Sequence, residues 1–205
     1  MIYRKERILR DVRVLLDENE RDRGLEALAD KESLSLDTMI AGFIEEGARD
    51  AVSAAAVSEL EAGHNFGEDV EWTDGGSGRI PLPEDFMRLI AFRMSDWERR
   101  VERVILPDDP AYGRLGSRYR GIRGNPQRPA VTIVPGPECL WLEFHSCLSR
   151  DAYVAEGVYT PLPRMDRKGG IEIPERVYRA ALRRIAVLTA MSRGESERAE
   201  ALMKY

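Results

Sequence analysis

Apolar residues recur at three- and four-residue steps toward both ends of the chain and at two-residue steps through its middle. Near the start, Ile8, Val12, Leu15 and Leu16 form one stripe between arginines and glutamates, the period of an amphipathic helix. The charge-dense DENERDRG (residues 17–24) ends that helix, and LEALAD (25–30) suits a short turn. A second, longer helix is expected from Ser35, whose hydroxyl can cap the free amides of the first turn. Leu36, Ile40, Phe43 or Ile44, Ala48, Val52, Ala55 and Leu60 carry its stripe toward Gly63, a natural C-terminal cap. Its centre, GARDAVSAAAVSEL, is rich in small residues and allows another helix to come close.

From Phe66 the period shortens. Val70 and Trp72 alternate with acids, TDGGSG reads as a turn, and LIAFRM, RVERVI, PAVTIV and ECLWLEFHSCL are β-branched and aromatic runs bounded by Pro and Gly. In the last run Leu140, Leu142 and Phe144 share one face while Trp141, Glu143 and His145 share the other, which predicts a half-buried antiparallel strand. A long connection, residues 107–128, separates RVERVI from PAVTIV, with a short helix expected in DDPAYGRLGSR and a loop in GNPQRP. After GVYTPLPRMDRKGG the helical period returns. Pro174 suits a first helical position, Val177, Tyr178, Ala181, Ile185 and Leu188 form a stripe, and ERAEALMKY makes a last short helix beyond Gly194. The pattern predicts an α+β fold. Residues 1–63 and 172–205 form a helical layer, and an antiparallel β module of residues 66–165 is inserted between its halves.

Length and composition narrow the picture modestly. A chain of 205 residues, 43% hydrophobic and 33% charged, suits an ordinary soluble protein of one large domain or two small ones. No apolar run approaches the roughly 20 residues of a membrane span, and the N-terminus has no apolar core of a secretory signal, so no membrane association is expected. Two cysteines, Cys139 and Cys147, give no disulfide framework and fit a reducing interior. The net charge of −5 is unevenly spread: residues 1–75 carry 9 basic and 19 acidic side chains, residues 76–205 carry 22 and 17. Such a chain can meet copies of itself, or other partners, with opposite faces; solvated surface charge is the plainer reading.

Catalytic constellations are sparse. No Gly-x-Ser-x-Gly elbow, Walker loop, HExxH or paired CxxC occurs, and Gly75–Gly78 lacks the strand-to-helix setting of a phosphate loop. Cys139, Glu143, His145 and Cys147 would share a strand face, but eight strand positions span about 26 Å, so the two thiols cannot hold one ion unless the strand folds back. His64 is expected alone at a helix end. Glu45–Glu46 and Asp108–Asp109 read as helix-surface and helix-start acids. No catalytic residue, metal ligand or cofactor is expected, and hence no stand-alone enzyme.

Arginine usage stands out instead. Of 31 basic residues only Lys5, Lys31, Lys168 and Lys204 are lysine, and YGRLGSRYRGIRGNPQRP carries Arg114, Arg118, Arg120, Arg123 and Arg128 with no acid among them. Guanidinium groups pair bidentately with carboxylate or phosphate, and Tyr112 and Tyr119 add flat surfaces of the kind enriched in interfaces. Protein docking, a solvated loop and contact with a nucleic-acid backbone stay open, though the acidic chain carries no nucleic-acid reader motif.

The order of pieces resembles the head–tail connector proteins (adaptor, head-completion or neck proteins) of tailed bacteriophages and prophages. There a helical pair precedes a strand entering an Ile/Leu-Pro-x-Asp-Phe/Tyr step, here IPLPEDF from Ile80 to Phe86, followed by LIAFRM. SDWERRVERV, the turn PDDPAY, the helix IPERVYRAALRRIAVLTA and the terminal SERAEALMKY complete the likeness. The resemblance implies that the PEDF turn is the corner between helical layer and β module. It also implies a structural virion protein of the neck, made in the host bacterial cytoplasm: a ring homo-oligomer, a dodecamer, that docks to the portal protein and to tail or neck proteins and passes DNA non-specifically through its centre. The arginine-rich connection and Trp97 would then lie at partner or subunit interfaces. Some connectors are all-helical, so the large β module is a departure that leaves neck position and tail type open. Two alternatives stand beside this one: a small cytosolic bacterial binding module with a discrete pocket, and a metal-assisted hydrolase in which the FHSC strand converges with His64.

Overall fold

The computed structural model describes residues 1–16, 35–60, 63–73 and 76–204; the turn expected in LEALAD lies outside them. The chain opens with β1 (Ile2–Arg4), α1 (Lys5–Leu15) and α2 (Leu36–Ala54). Strands β2 (His64–Asn65), β3 (Glu71–Trp72), β4 (Gly78–Pro81) and β5 (Phe86–Met94) follow. Then come the single-turn helices α3 (Tyr112–Leu115) and α4 (Arg120–Arg123), strands β6 (Val131–Pro135), β7 (Leu140–Phe144), β8 (Val154–Pro161) and β9 (Gly170–Glu172), and helices α5 (Tyr178–Ser192) and α6 (Ser196–Met203). The fold is α+β with antiparallel sheets. The chain divides into two units, residues 1–61 with 163–205, and residues 62–162; the sequence pattern sets the corresponding borders at 63–66 and 165–172.

The helical unit closes around small residues. Ile8 and Val12, one turn apart on α1, are fully buried, as are Ile40, Ile44 and Ala48 on α2 and Ala181, Ile185 and Ala186 on α5. Gly47 is where α2 meets α5: a Cβ there would lie 2.6 Å from Ile185 Cγ1 and 2.9 Å from the Ile185 backbone nitrogen. No side chain fits between the two backbones. Ser35 caps α2 as its hydroxyl accepts the Thr38 N–H at 3.3 Å. The helix stops at Ala54 rather than running to Gly63. Ala55 and Ala56 turn extended, residues Val57–Glu59 make one 3-10 turn, and the Glu59 carboxylate accepts the Ala56 N–H at 3.0 Å. That local cap overrides the helix propensity of the alanine run and carries Leu60 into the core.

Three-residue strands tie the chain ends together. β1 pairs antiparallel with β9, Tyr3 opposite Ile171, and the Tyr3 ring stacks on Tyr178 with centroids 3.8 Å apart. The Tyr178 hydroxyl donates to Asp11 at 2.8 Å while Arg7 lies over both rings. Burial, reinforced by Asp11, pushes the Tyr178 phenol above its ordinary range. Pro174 caps a 3-10 turn (Glu175–Val177) ahead of α5 instead of opening the helix itself.

The β unit holds two sheets, ordered β2-β8-β5 and β3-β4-β7-β6. Phe92 of β5 and Phe144 of β7 meet at 6.1 Å across them, and Trp97 packs edge-on against both, at 5.5 and 6.3 Å. The PEDF turn is corrected here: the Phe86 N–H donates to Pro83 at 2.9 Å, and the step carries the chain from β4 of one sheet to β5 of the other, inside this unit. Asp85 fixes the turn by accepting the Tyr159 hydroxyl at 2.7 Å. RVERVI forms no strand. Val101 bridges Phe92 and Ile105 bridges Thr132, because the segment passes from one sheet to the other and cannot run along either. β8, unmarked by the pattern, is the centre of its sheet.

Gly47 yields a direct test. Overpacking costs about 1–3 kcal/mol, and valine's helix propensity exceeds glycine's by only a few tenths of a kcal/mol, so Gly47→Val should be destabilising by about 1 kcal/mol or more. Urea unfolding read by far-ultraviolet circular dichroism should shift to lower urea. Tryptophan fluorescence, which reports only the β unit because Trp72, Trp97 and Trp141 all lie there, should hold its midpoint. An unshifted helical transition would show that the two backbones are not in contact.

Candidate interaction surface

The arginine-rich connection is pinned at several points. Leu115 of α3 is buried, and Asp109 starts the segment by accepting the Ala111 N–H at 2.8 Å and pairing with Arg103 at 3.1 Å. Gly124 follows α4 with φ of +131°, and a Cβ there would lie 2.5 Å from the Ser146 hydroxyl, so only glycine fits. Asn125 accepts the Gln127 and Arg128 N–H groups, and the Glu98 N–H donates to Pro126 at 3.0 Å.

Between these anchors the chain displays side chains to solvent. Tyr119 is 57% and Ile122 54% exposed. Arg118 lies 4.9 Å from the Tyr119 ring centroid and donates to its hydroxyl at 2.8 Å, which holds both side chains in one orientation. Arg114, Arg120 and Arg128 are exposed as well. Arg123 is half-buried beside His145, whose imidazole is held below its ordinary pKa chiefly by burial, with Glu143 opposing and Arg123 adding to the depression. Trp97 requires correction as an interface residue: it is 3% exposed, wedged between Phe92 and Phe144 in the core.

His145 has an unforeseen neighbour. Its Nδ1 lies 3.3 Å from the Ser77 hydroxyl and its Nε2 4.0 Å from Glu143, so serine, histidine and glutamate stand in line. The second step exceeds hydrogen-bond length, and an attacking hydroxyl needs a substrate atom about 3 Å away. Ser77 is 5% exposed, which leaves no such room. His64 lies in β2 against the Tyr159 ring rather than at a helix end. Among the described residues no three His, Cys, Asp or Glu side chains are grouped to hold a metal ion.

The hydrophobic pattern does not anticipate a groove of about 910 Å³ in the β unit, bounded by residues 65–70, 80–83 and 153–158. It exists because strand pairing stops early. The Phe66 N–H donates to Gly157 at 3.0 Å, and Gly67, with φ of +114°, then turns the chain off β8. The register of β8 with β5 passes from Glu156 to Val154, so Ala155 is the extra residue of a bulge. Across the groove Pro81 and Pro83 have no N–H to offer a further strand. Half-buried Phe66, Val70 and Val154 give it apolar surface over the buried Ile80 and Leu82, and the exposed acids Glu68 and Asp69 stand on its rim with Glu156, which lies 3.7 Å from Arg100. The glycines and prolines at 67, 81, 83 and 157 were the available signal, since each marks a place where a ladder ends or a backbone comes close.

No family model matches the chain, and no curated protein matches it either.

The two thiols should behave differently. Cys147 is 1% exposed, and burial first, then the charge and hydrogen bond of Asp96, push its pKa up to about 12; Cys139 is half-buried at the end of β7. Titration of the native protein with a thiol reagent at pH 8 should modify Cys139 readily and Cys147 only on unfolding. Because the folded thiol holds its proton above the unfolded pKa of about 8.5, stability from this group should fall as pH rises from about 8.5 toward 12. Equal reaction rates at pH 8 would contradict both expectations.

Proposed function

We propose that this chain is a structural subunit of a phage or prophage neck, a head–tail connector that assembles from its own copies into a ring. In this reading the ring docks to the portal protein and to tail or neck proteins, DNA passes through it without sequence preference, and the chain performs no catalysis. The observation that carries the reading is the exposed patch of Arg118, Tyr119 and Ile122, in which Arg118 packs on the Tyr119 ring. Arginine and tyrosine are among the residue types that dominate interface energetics, and here they stand together on the surface. The order of elements around IPLPEDF supports the same reading, as does an acidic first third followed in sequence by a basic remainder. No helix among the described residues is long and apolar enough to cross a membrane.

The groove favours a second reading, a small binding module that stays monomeric and takes a ligand of moderate size; its volume of about 910 Å³ lies within the usual range of about 300–1,000 Å³ for such sites. Native mass measurement with negative-stain imaging separates the two. The connector reading expects closed rings at low salt that loosen as ionic strength rises, since screening shortens to about 3 Å at 1 M salt. A monomer at every concentration and salt would contradict it.

A further inference from the structure

The β unit carries two surfaces whose chemistry matches. One is the patch on the connection, a flat ring and an aliphatic side chain flanked by Arg114 and Arg118. The other is the groove, part apolar inside and acidic at the rim. The geometry points to head-to-tail docking, in which Tyr119 and Ile122 of one copy enter the groove of the next while Arg114 and Arg118 meet Glu68 and Asp69 on its rim.

Four observations converge on a second copy as the occupant. Half-buried Phe66, Val70 and Val154 give the groove apolar surface beside its polar groups, which suits an aromatic and an aliphatic side chain that arrive with a hydroxyl and charged neighbours. The rim acids attract cations and repel phosphate, which excludes nucleic acid and anionic metabolites from this site. Among the described residues, none of the ion pairs formed engages Arg114, Arg118, Glu68 or Asp69, so these four groups keep their charge available. Finally, the residues that anchor the connection, Glu98 and Ser146, do not line the groove, so the two surfaces are built from separate parts of the unit. Contact between two different patches on identical chains is heterologous, and such contacts propagate into a ring when the rotation closes and into a filament when it does not.

Tyr119 already points outward with its ring fixed by Arg118, so docking orders little that was free. The inference rests on the ring reading only in naming a second copy as partner; the docking surfaces stand on their own.

The test uses the full chain with one face reversed at a time. Glu68→Arg with Asp69→Arg alters the groove, and Arg114→Glu with Arg118→Glu alters the patch. All four positions are exposed, and unchanged circular dichroism and melting confirm folding. By sedimentation at low salt each variant alone should lose self-association by on the order of tenfold or more. Mixed in equal amounts, they should assemble again, because the intact patch of one meets the intact groove of the other and the two reversed faces also match. Tyr119→Ala should weaken association without altering its salt dependence. Wild-type rings that persist in both single-face variants would overturn the docking while leaving the ring reading intact. Open filaments restored by mixing would uphold the docking and end the ring reading. Assembly lost in the variants but not restored on mixing would also overturn the docking.

Discussion

The contact of the α2 and α5 backbones at Gly47 and Ile185 is the constraint around which the chain is arranged. It joins a helix that precedes the β unit to one that follows it, and it tolerates no side chain at position 47. Around it the ends close by short-range means: a three-residue ladder between β1 and β9, and the stack of Tyr3 on Tyr178. Neither of those would persist in isolation, since two three-residue strands order more backbone than their hydrogen bonds repay. They depend on the packing of the helices beside them. The β unit is compatible with such a host because its first and last strands, β2 and β8, are neighbours, with His64 opposite Tyr159. An insert whose ends leave side by side can be accommodated without separating the helices on either side of it.

Within the β unit the interior and the surface follow from different features. Phe92, Trp97 and Phe144 form an aromatic junction between the sheets, each ring edge or face placed at the 4.5–7 Å separations such pairs favour. The surface features arise where regular pairing fails. The groove opens where Gly67 leaves β8 and where prolines end β4. The patch stands out because Leu115 and Gly124 are fixed on either side of it, and between them Arg118, Tyr119 and Ile122 are left exposed while Arg123 turns inward. Interruptions of the ladder, not its regular parts, shape the places available to a partner.

Periodic burial was legible from the chain alone. Ile8 with Val12, Ile40 with Ile44, and Ala181 with Ile185 each lie on the buried face their spacing indicates, and Ser35 caps the helix as its hydroxyl suggests. Long-range pairing was not legible. β8 contains Glu156 and Gly157 in mid-strand, and its place between β2 and β5 is set by residues far away; Gly157 is required because a Cβ would lie 2.3 Å from the Phe66 carbonyl. RVERVI has the composition of a strand but crosses between sheets. Trp97 stands among charges in the sequence, yet the turn at Met94 folds it inward, with its backbone N–H donating to the Met94 carbonyl at 3.0 Å. For the arginine segment, composition identified the stretch, while the direction of each side chain depended on tertiary neighbours: Arg118 pairs with Tyr119 outside and Arg123 turns toward His145.

The dependence of the helical unit on two distant stretches of sequence is most directly measured by native-state hydrogen exchange along a denaturant series. Amides of Ile8, Ile44 and Ile185, all fully buried, lie on three helices contributed from both sides of the β unit. The expected result is that the three converge on one opening free energy and one denaturant dependence, separate from those of Phe92 and Leu142 in the β unit. Exchange of Ile185 at a lower free energy than Ile8 and Ile44, with those two unchanged, would contradict a single closed helical unit and make the C-terminal helices an independent arm.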